Sequence, residues 1–214
     1  MKTTNNLTAL AILTFVSLAG AASGAIVDWT HWSSVTNGGA GSASGTMNGI
    51  GVEYRGDVLF GQTGSGTDYW TGPAYINGTV SNSPDASHMV AMVGGTQVVS
   101  TITFSQPVTD PIMAIVSMGQ TGLAVRYAFD TPFDILGYGQ GYWGNGTLAE
   151  LPADVLEGRE GHGTIQFRGT VSSVSWTMPV AENWHGMTVG VIPSPASLGM
   201  FGAFGLMAVR RKRA

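Results

Sequence analysis

The sequence predicts an all-β protein, a single antiparallel sandwich of the jelly-roll kind, and three observations carry that expectation. Glycine supplies 32 of the 214 residues, about twice its usual share of roughly 7%. It stands singly or in pairs between short apolar stretches, a placement that marks tight turns. Between the turns lie short runs that alternate with period two or are rich in β-branched and aromatic residues. No run of the central region keeps a helical period; the segment 148–156 is the best candidate for a turn or two of helix. Short strands without crossover helices pack as an antiparallel sandwich.

Taken in order, strands are expected at 26–32, 51–60, 88–93, 97–104, 112–118, 123–129 and 133–138, then at 163–168, 171–178 and 187–192. The clearest hairpin signal comes late. Thr164 to Arg168 alternates, Gly169-Thr170 turns, and Val171 to Thr177 alternates again. That pattern places Ile165 and Phe167 on the core, with Val174 and Trp176 opposite. The stretch 38–45 contains only Gly, Ser and Ala and reads as a loop or ragged edge.

The two ends differ from this centre. Residues 1–25 read as a secretory signal: Lys2 is the positive n-region, 7–20 is apolar, and Ala21-Ala22-Ser23-Gly24-Ala25 supplies the small residues signal peptidase needs. Cleavage is expected after Ala25. The sandwich then occupies 26–191 and a tail occupies 192–214. In that tail Pro193 and Pro195 end the last strand. An apolar run of fourteen residues follows from Ala196 to Val209, short of the roughly 20 that cross a bilayer comfortably. Arg210, Arg211, Lys212 and Arg213 come next and favour retention on the cytoplasmic side.

Between Ile26 and Val209 there is no lysine, and Arg55, Arg126, Arg159 and Arg168 face all thirteen carboxylates, four against thirteen, for a net charge of −9. Such a surface repels phosphate backbones, so nucleic acid is excluded as a partner. The chain has no cysteine. Thiol nucleophiles and cysteine-ligated metals are therefore excluded, and an exported domain must be stable through its core alone.

Pro193, Ser194, Pro195, Ala196 and Ser197, followed by the apolar run and the basic end, resemble the PEP-CTERM sorting signal of Gram-negative bacteria. Ser194 stands where that family usually has glutamate, so the motif is degenerate at its middle position. The resemblance covers about the last two dozen residues. It implies processing by exosortase, a membrane peptidase, after transient anchoring in the inner membrane. It also implies a cell-surface or extracellular destination among exopolysaccharide or biofilm components. Gly139 to Gly144, Gly161 to Phe167 and Trp184-His185-Gly186 are fainter likenesses to β-rich domains found ahead of such tails, for which no site residues transfer.

Few constellations suggest chemistry. Glu157 and Glu160 flank Arg159, and Asp130 and Asp134 flank a proline turn. Either pair could supply a glycosidase's two carboxylates. An arginine between two acids holds them ionised, however, and aspartate at a turn commonly satisfies backbone donors. Gly64-Ser65-Gly66 lacks the G-x-S-x-G frame of a nucleophile elbow. His162 and His185 adjoin glycine on turns, and His31 and His88 lie far from them in sequence. No cofactor is expected beyond a calcium ion held by loop carboxylates, with Asp130 and Asp134 the chosen ligands and Asp57 and Asp68 also at hand.

Tyr138, Tyr142 and Trp143, like Tyr69 and Trp70, lie in glycine-rich segments. Flat rings stack on sugars, and Asn145, Gln140 and Asp68 could bind hydroxyls. The same rings also suit capping the sandwich ends and filling its core. The sequence thus reads as a non-enzymatic structural or interaction component of the cell surface or polysaccharide matrix. A lectin-like module using Tyr138, Tyr142, Trp143 and Asn145 is the first alternative, and a glycan-acting hydrolase the second.

Overall fold

A computed structural model describes residues 24–193. Ser194, Pro195, Arg210, Arg211, Lys212 and Arg213 lie outside the described residues, as do 1–23 and the apolar run 196–209. Among the described residues no helix is long and apolar enough to cross a membrane.

The chain is all-β. Its strands are β1 (Asp28–Trp29), β2 (His31–Thr36), β3 (Gly38–Met47), β4 (Ile50–Val58), β5 (Phe60–Thr63), β6 (His88–Met92), β7 (Val99–Thr109) and β8 (Ile112–Met118). There follow β9 (Val125–Phe129), β10 (Phe133–Tyr138), β11 (Thr147–Leu151), β12 (Val155–Arg159), β13 (Gly161–Phe167), β14 (Thr170–Thr177) and β15 (His185–Val191). They form two antiparallel sheets. The seven-stranded sheet runs β10-β13-β8-β15-β6-β5, with β1 added beside β15; the eight-stranded sheet runs β11-β12-β9-β14-β7-β4-β3-β2. From β6 onward the chain changes sheet at almost every step, and only the β11–β12 hairpin stays in one.

Burial explains which strands alternate. In β7 the sequence VSTITFSQPVT alternates because one face meets the other sheet and the opposite face meets water. In β8 (IMAIVSM) and β15 (HGMTVGV) every residue is buried. Met113, Ile115, Met187 and Val189 face the core between the sheets. On the reverse face Ile112, Ala114, Val116, Met89 and Ala91 meet Trp70, Tyr75 and Val80, contributed by the segment 64–87. That segment is a third layer. Continuous apolar sequence is what a strand covered on both faces requires.

Three expectations are corrected. Residues 163–168 and 171–178 do form strands, but they do not pair as a hairpin. β13 lies in one sheet and β14 in the other, and the turn at Gly169 (φ 88°) carries the chain across the sandwich. Ile165, Phe167, Val174 and Trp176 are all buried in the core that the two sheets share. The 38–45 stretch is no loop: it is most of β3, with Gly41, Ala43, Gly45 and Met47 alternating inward. Small residues are needed there because a side chain at Gly45 would collide with the backbone of His31 and Trp32 on the neighbouring strand. Finally, 148–156 is the β11–β12 hairpin, pairing Leu148 with Gly158 and Leu151 with Val155. Ala153 and Asp154 close it in the left-handed region (φ 65° and 55°).

Candidate functional site

At one end of the sandwich four connections converge: the turn leaving β8, the 139–146 loop, the turn between β12 and β13, and the segment entering β15. They enclose a cleft of about 190 Å³ whose walls include Ser117, Gln120, Trp143, Glu160, Glu182 and Trp184. A shallower groove of about 440 Å³ lies beside it, lined by Asn145, Thr121 and Arg159. Trp143 and Glu160 border both, so they form the ridge between them.

The aromatic wall is a packed network. Tyr69 stacks on Trp143 with centroids 5.1 Å apart and planes 20° apart. Trp184 meets Trp143 edge-on at 4.9 Å and Tyr69 at 5.1 Å. Tyr142 meets Trp143 at 4.6 Å, and Phe60 supports Trp184 at 5.2 Å. Trp143 nevertheless stays 45% exposed. Its neighbours fix its orientation and leave ring surface to solvent, the arrangement an aromatic binding platform needs.

The polar floor is built around β8. Ser117 and Glu160 are both non-glycine residues in the left-handed region, at φ 58° and 54°. Such backbone costs on the order of 1 kcal/mol or more each and concentrates at functional sites. The two are joined, Ser117 Oγ donating to Glu160 Oε1 at 2.7 Å. Glu182 Oε1 accepts from the Gly119 amide at 2.7 Å and from His185 Nδ1 at 2.7 Å. Gly119 itself (φ 76°) tolerates no side chain, because a Cβ would be driven into the Gly158 carbonyl.

His162 lies behind Glu160 and is fully buried. Burial pulls its pKa down to about 4, so the ring is neutral at ordinary pH. Its Nδ1 accepts from the Ser117 amide at 3.3 Å and from the Tyr75 hydroxyl at 3.4 Å. The remaining proton therefore sits on Nε2, which has no hydrogen-bond partner and lies 3.9 Å from Glu160 Oε1.

The structure brings together only some of the residues expected from sequence. Tyr142 and Trp143 belong to the network, and Asn145 borders the shallow groove, bridged to Gln140. Tyr138 is exposed at the end of β10, apart from the ring network. Trp70 is a core residue. Asp134 is bound by Arg168 through both carboxylate oxygens, and that guanidinium holds its pKa below the usual carboxylate range. Asp130 Oδ1 instead accepts from Thr131 Oγ1 and the Ser175 amide. Asp57 caps the Val93 and Gly94 amides, and Asp68 the Trp70 amide. Among the described residues no three His, Asp or Glu side chains form a metal cluster.

Glu157 and Glu160 separate completely. Glu157 takes Arg126 at 2.7 Å and Arg159 at 3.3 Å, whereas Glu160 turns into the cleft. Sequence reasoning did not assign Ser117, Glu182 or Trp184 to the site. Their only local signals are a carboxylate three residues before a histidine and the Trp184-His185-Gly186 run that opens β15. Ala25 bridges Val80, donating to the Thr79 carbonyl at 2.8 Å and accepting from the Ser81 amide at 2.9 Å. Pro193 lies two residues beyond the end of β15 and is half-buried.

No protein-family model, curated protein or solved structure matches the chain.

Proposed function

We propose that this chain is an exported surface or matrix component whose sandwich binds carbohydrate without turnover. One observation carries the binding reading: Trp143 presents an exposed ring, fixed by Tyr69, Tyr142 and Trp184, on the ridge between two clefts rich in hydrogen-bonding groups. A sugar's C–H face and its hydroxyls need that combination of flat apolar surface and polar rim. The strand order supports the jelly-roll reading. The series β6-β15-β8-β13 faces β7-β14-β9-β12, which is two interleaved Greek keys, with β10 and β11 added at the edges.

In this reading signal peptidase removes the leader after Ala25, and the PEP-CTERM-like tail is held briefly in the inner membrane. An exosortase-like peptidase then acts near Pro193, Ser194 and Pro195, placing the domain among exopolysaccharide. Intact masses of the protein from medium and membranes of its host test the route. A released form running from about Ile26 to Pro193 or Pro195 supports it; a membrane form still ending at Ala214 overturns the sorting step. For binding, a glycan array probed with the wild type and Trp143→Ala should show the signal fall at least roughly tenfold. An unchanged signal removes Trp143 from the site.

A further inference from the structure

We infer that the export cut falls upstream of Gly24, after Ala21 or Ala22, so that Gly24 and Ala25 remain in the mature domain as its first folded residues. This rests on the export reading above and moves its first cut within the same run of small residues, 21–25. Signal peptidase needs small side chains one and three places before the bond it cuts. Ala19-Gly20-Ala21 meets that need, and Gly20-Ala21-Ala22 meets it one residue later. Ser23-Gly24-Ala25 meets it as well, so composition allows all three cuts. The fold distinguishes them.

Ala25 forms a parallel bridge with Val80: its amide donates to the Thr79 carbonyl at 2.8 Å, and its carbonyl accepts from the Ser81 amide at 2.9 Å. Gly24 is seated against the same segment. A Cβ there would come within 2.8 Å of the Val80 carbonyl carbon and 2.9 Å of the Asn77 carbonyl oxygen. Backbone packed on backbone that closely is a place only glycine fits. The contact then continues toward β1. The Val27 amide donates to Asn82 Oδ1 at 2.7 Å, and its carbonyl accepts from Asn82 Nδ2 at 2.9 Å. Trp29 Nε1 donates to the Asn82 carbonyl at 3.3 Å. Ile26 is 71% exposed between half-buried Ala25 and buried Val27, the alternation of a strand bound along one side and not of a loose end. Residues 24–29 and 77–82 are thus one seam.

A cut after Ala25 removes the first part of that seam. Both bonds to Ala25 go, the place that Gly24 fills is left open, and the Thr79 carbonyl and Ser81 amide lose the partners Ala25 provides. Backbone groups beside a buried cluster are ordinarily paired, so a domain matured that way would begin with a defect. The loosened place is an anchor of the third layer. Val80 is fully buried and packs with Val27, Trp29, Trp70 and Tyr75 in the cluster beneath the segment 64–87. A cut after Ala21 or Ala22 keeps every one of these contacts and leaves at most Ala22 and Ser23 ahead of them.

Mass spectrometry of the N-terminal peptide, taken from wild-type protein recovered from its host, tests this directly. The mature chain should start at Ala22 or Ser23. A start at Ala25 or Ile26 overturns the inference and leaves export standing; a chain that still carries Met1 overturns both. A second measurement reads the seam itself. Gly24→Val, introduced in the full-length gene and processed by the host, should lower the thermal midpoint of the mature protein by about 4 °C or more. It should also speed hydrogen exchange at the Ser81 amide, whose partner is Ala25. A midpoint and exchange rate unchanged by Gly24→Val show that residue 24 is absent from the mature fold or idle in it, and overturn the inference.

Discussion

Two aromatic networks of similar geometry occupy this molecule, and they serve opposite ends. In the interior Tyr54, Tyr127 and Phe129 each lie 5.8 Å from Trp176, while Phe129 meets Phe167 at 5.0 Å and Phe133 at 5.4 Å. At the rim Tyr69, Tyr142, Trp143 and Trp184 stand at the same kind of separation. Ring-to-ring geometry does not distinguish the two sets; what carries them does. The interior rings sit on strands β4, β9, β10, β13 and β14, whose alternation turns them inward. The rim rings sit on connections, where backbone conformation alone decides exposure. Trp176 is 1% exposed and Trp143 45%. The same chemistry is sealed in the core in one place and left partly open to solvent in the other.

The widest way to break the comparison is to truncate a ring in each set. Trp176→Ala should cost about 3–5 kcal/mol, read as a fall in the urea midpoint, because it opens a cavity where three other rings meet. Trp143→Ala should change stability by less than about 1 kcal/mol while removing glycan binding. Comparable losses of stability would erase the distinction between the networks.

Next in size is the response to pH. The folded-state pKa of His162 is depressed to about 4 from an ordinary 6.5. The unfolded chain therefore binds the proton first, and the stability is full above about pH 6.5 and lost as pH falls toward 4. Unfolding free energies from urea titration across that window should decline by as much as about 3 kcal/mol and then level off. His162→Gln should flatten the window; a slope unchanged in that variant assigns it to another group.

The smallest effect sharpens the interior set. The Tyr127 hydroxyl is buried without a partner. Tyr127→Phe should leave stability unchanged or raise it by up to about 1 kcal/mol, since it removes an unsatisfied group and keeps the ring. Tyr54 is the control, because its hydroxyl donates to the Asp57 carbonyl at 2.8 Å and lies 2.9 Å from Ser100 Oγ. Tyr54→Phe should cost about 1 kcal/mol, and equal outcomes for the two tyrosines would contradict the hydrogen-bond assignments.

The fold was more legible in the sequence than the site. Almost continuously apolar β8, broken only by Ser117, and alternating β7 announce themselves, because burial on two faces or one writes directly into composition. The 163–178 region was half legible: alternation marks each strand but is identical whether two strands pair in one sheet or face each other across the core. β3 was hidden because it needs small side chains for close approach, and Gly, Ser and Ala also compose loops. In the site, Tyr142 and Trp143 were visible as rings in a glycine-rich loop. Glu160 was visible only as half of a Glu157–Glu160 pair that the fold splits, and Glu182 was not visible at all, because only the path of β8 brings Ser117 to one and Gly119 to the other. Asp134 looked available until Arg168, thirty-four residues away, took both its oxygens.

The two ends of the described chain lie side by side, with Asp28 opposite Val191 and Trp29 opposite Gly190. β15 is flanked by β8 along one side and by β6 and then β1 along the other. Tension applied through the residues beyond Pro193 therefore enters along the axis of an interior strand. It meets three ladders of hydrogen bonds in shear, all at once, instead of unzipping one edge bond by bond. A domain tethered by that end resists extraction by flow or by a moving polymer far better than one held by an edge strand.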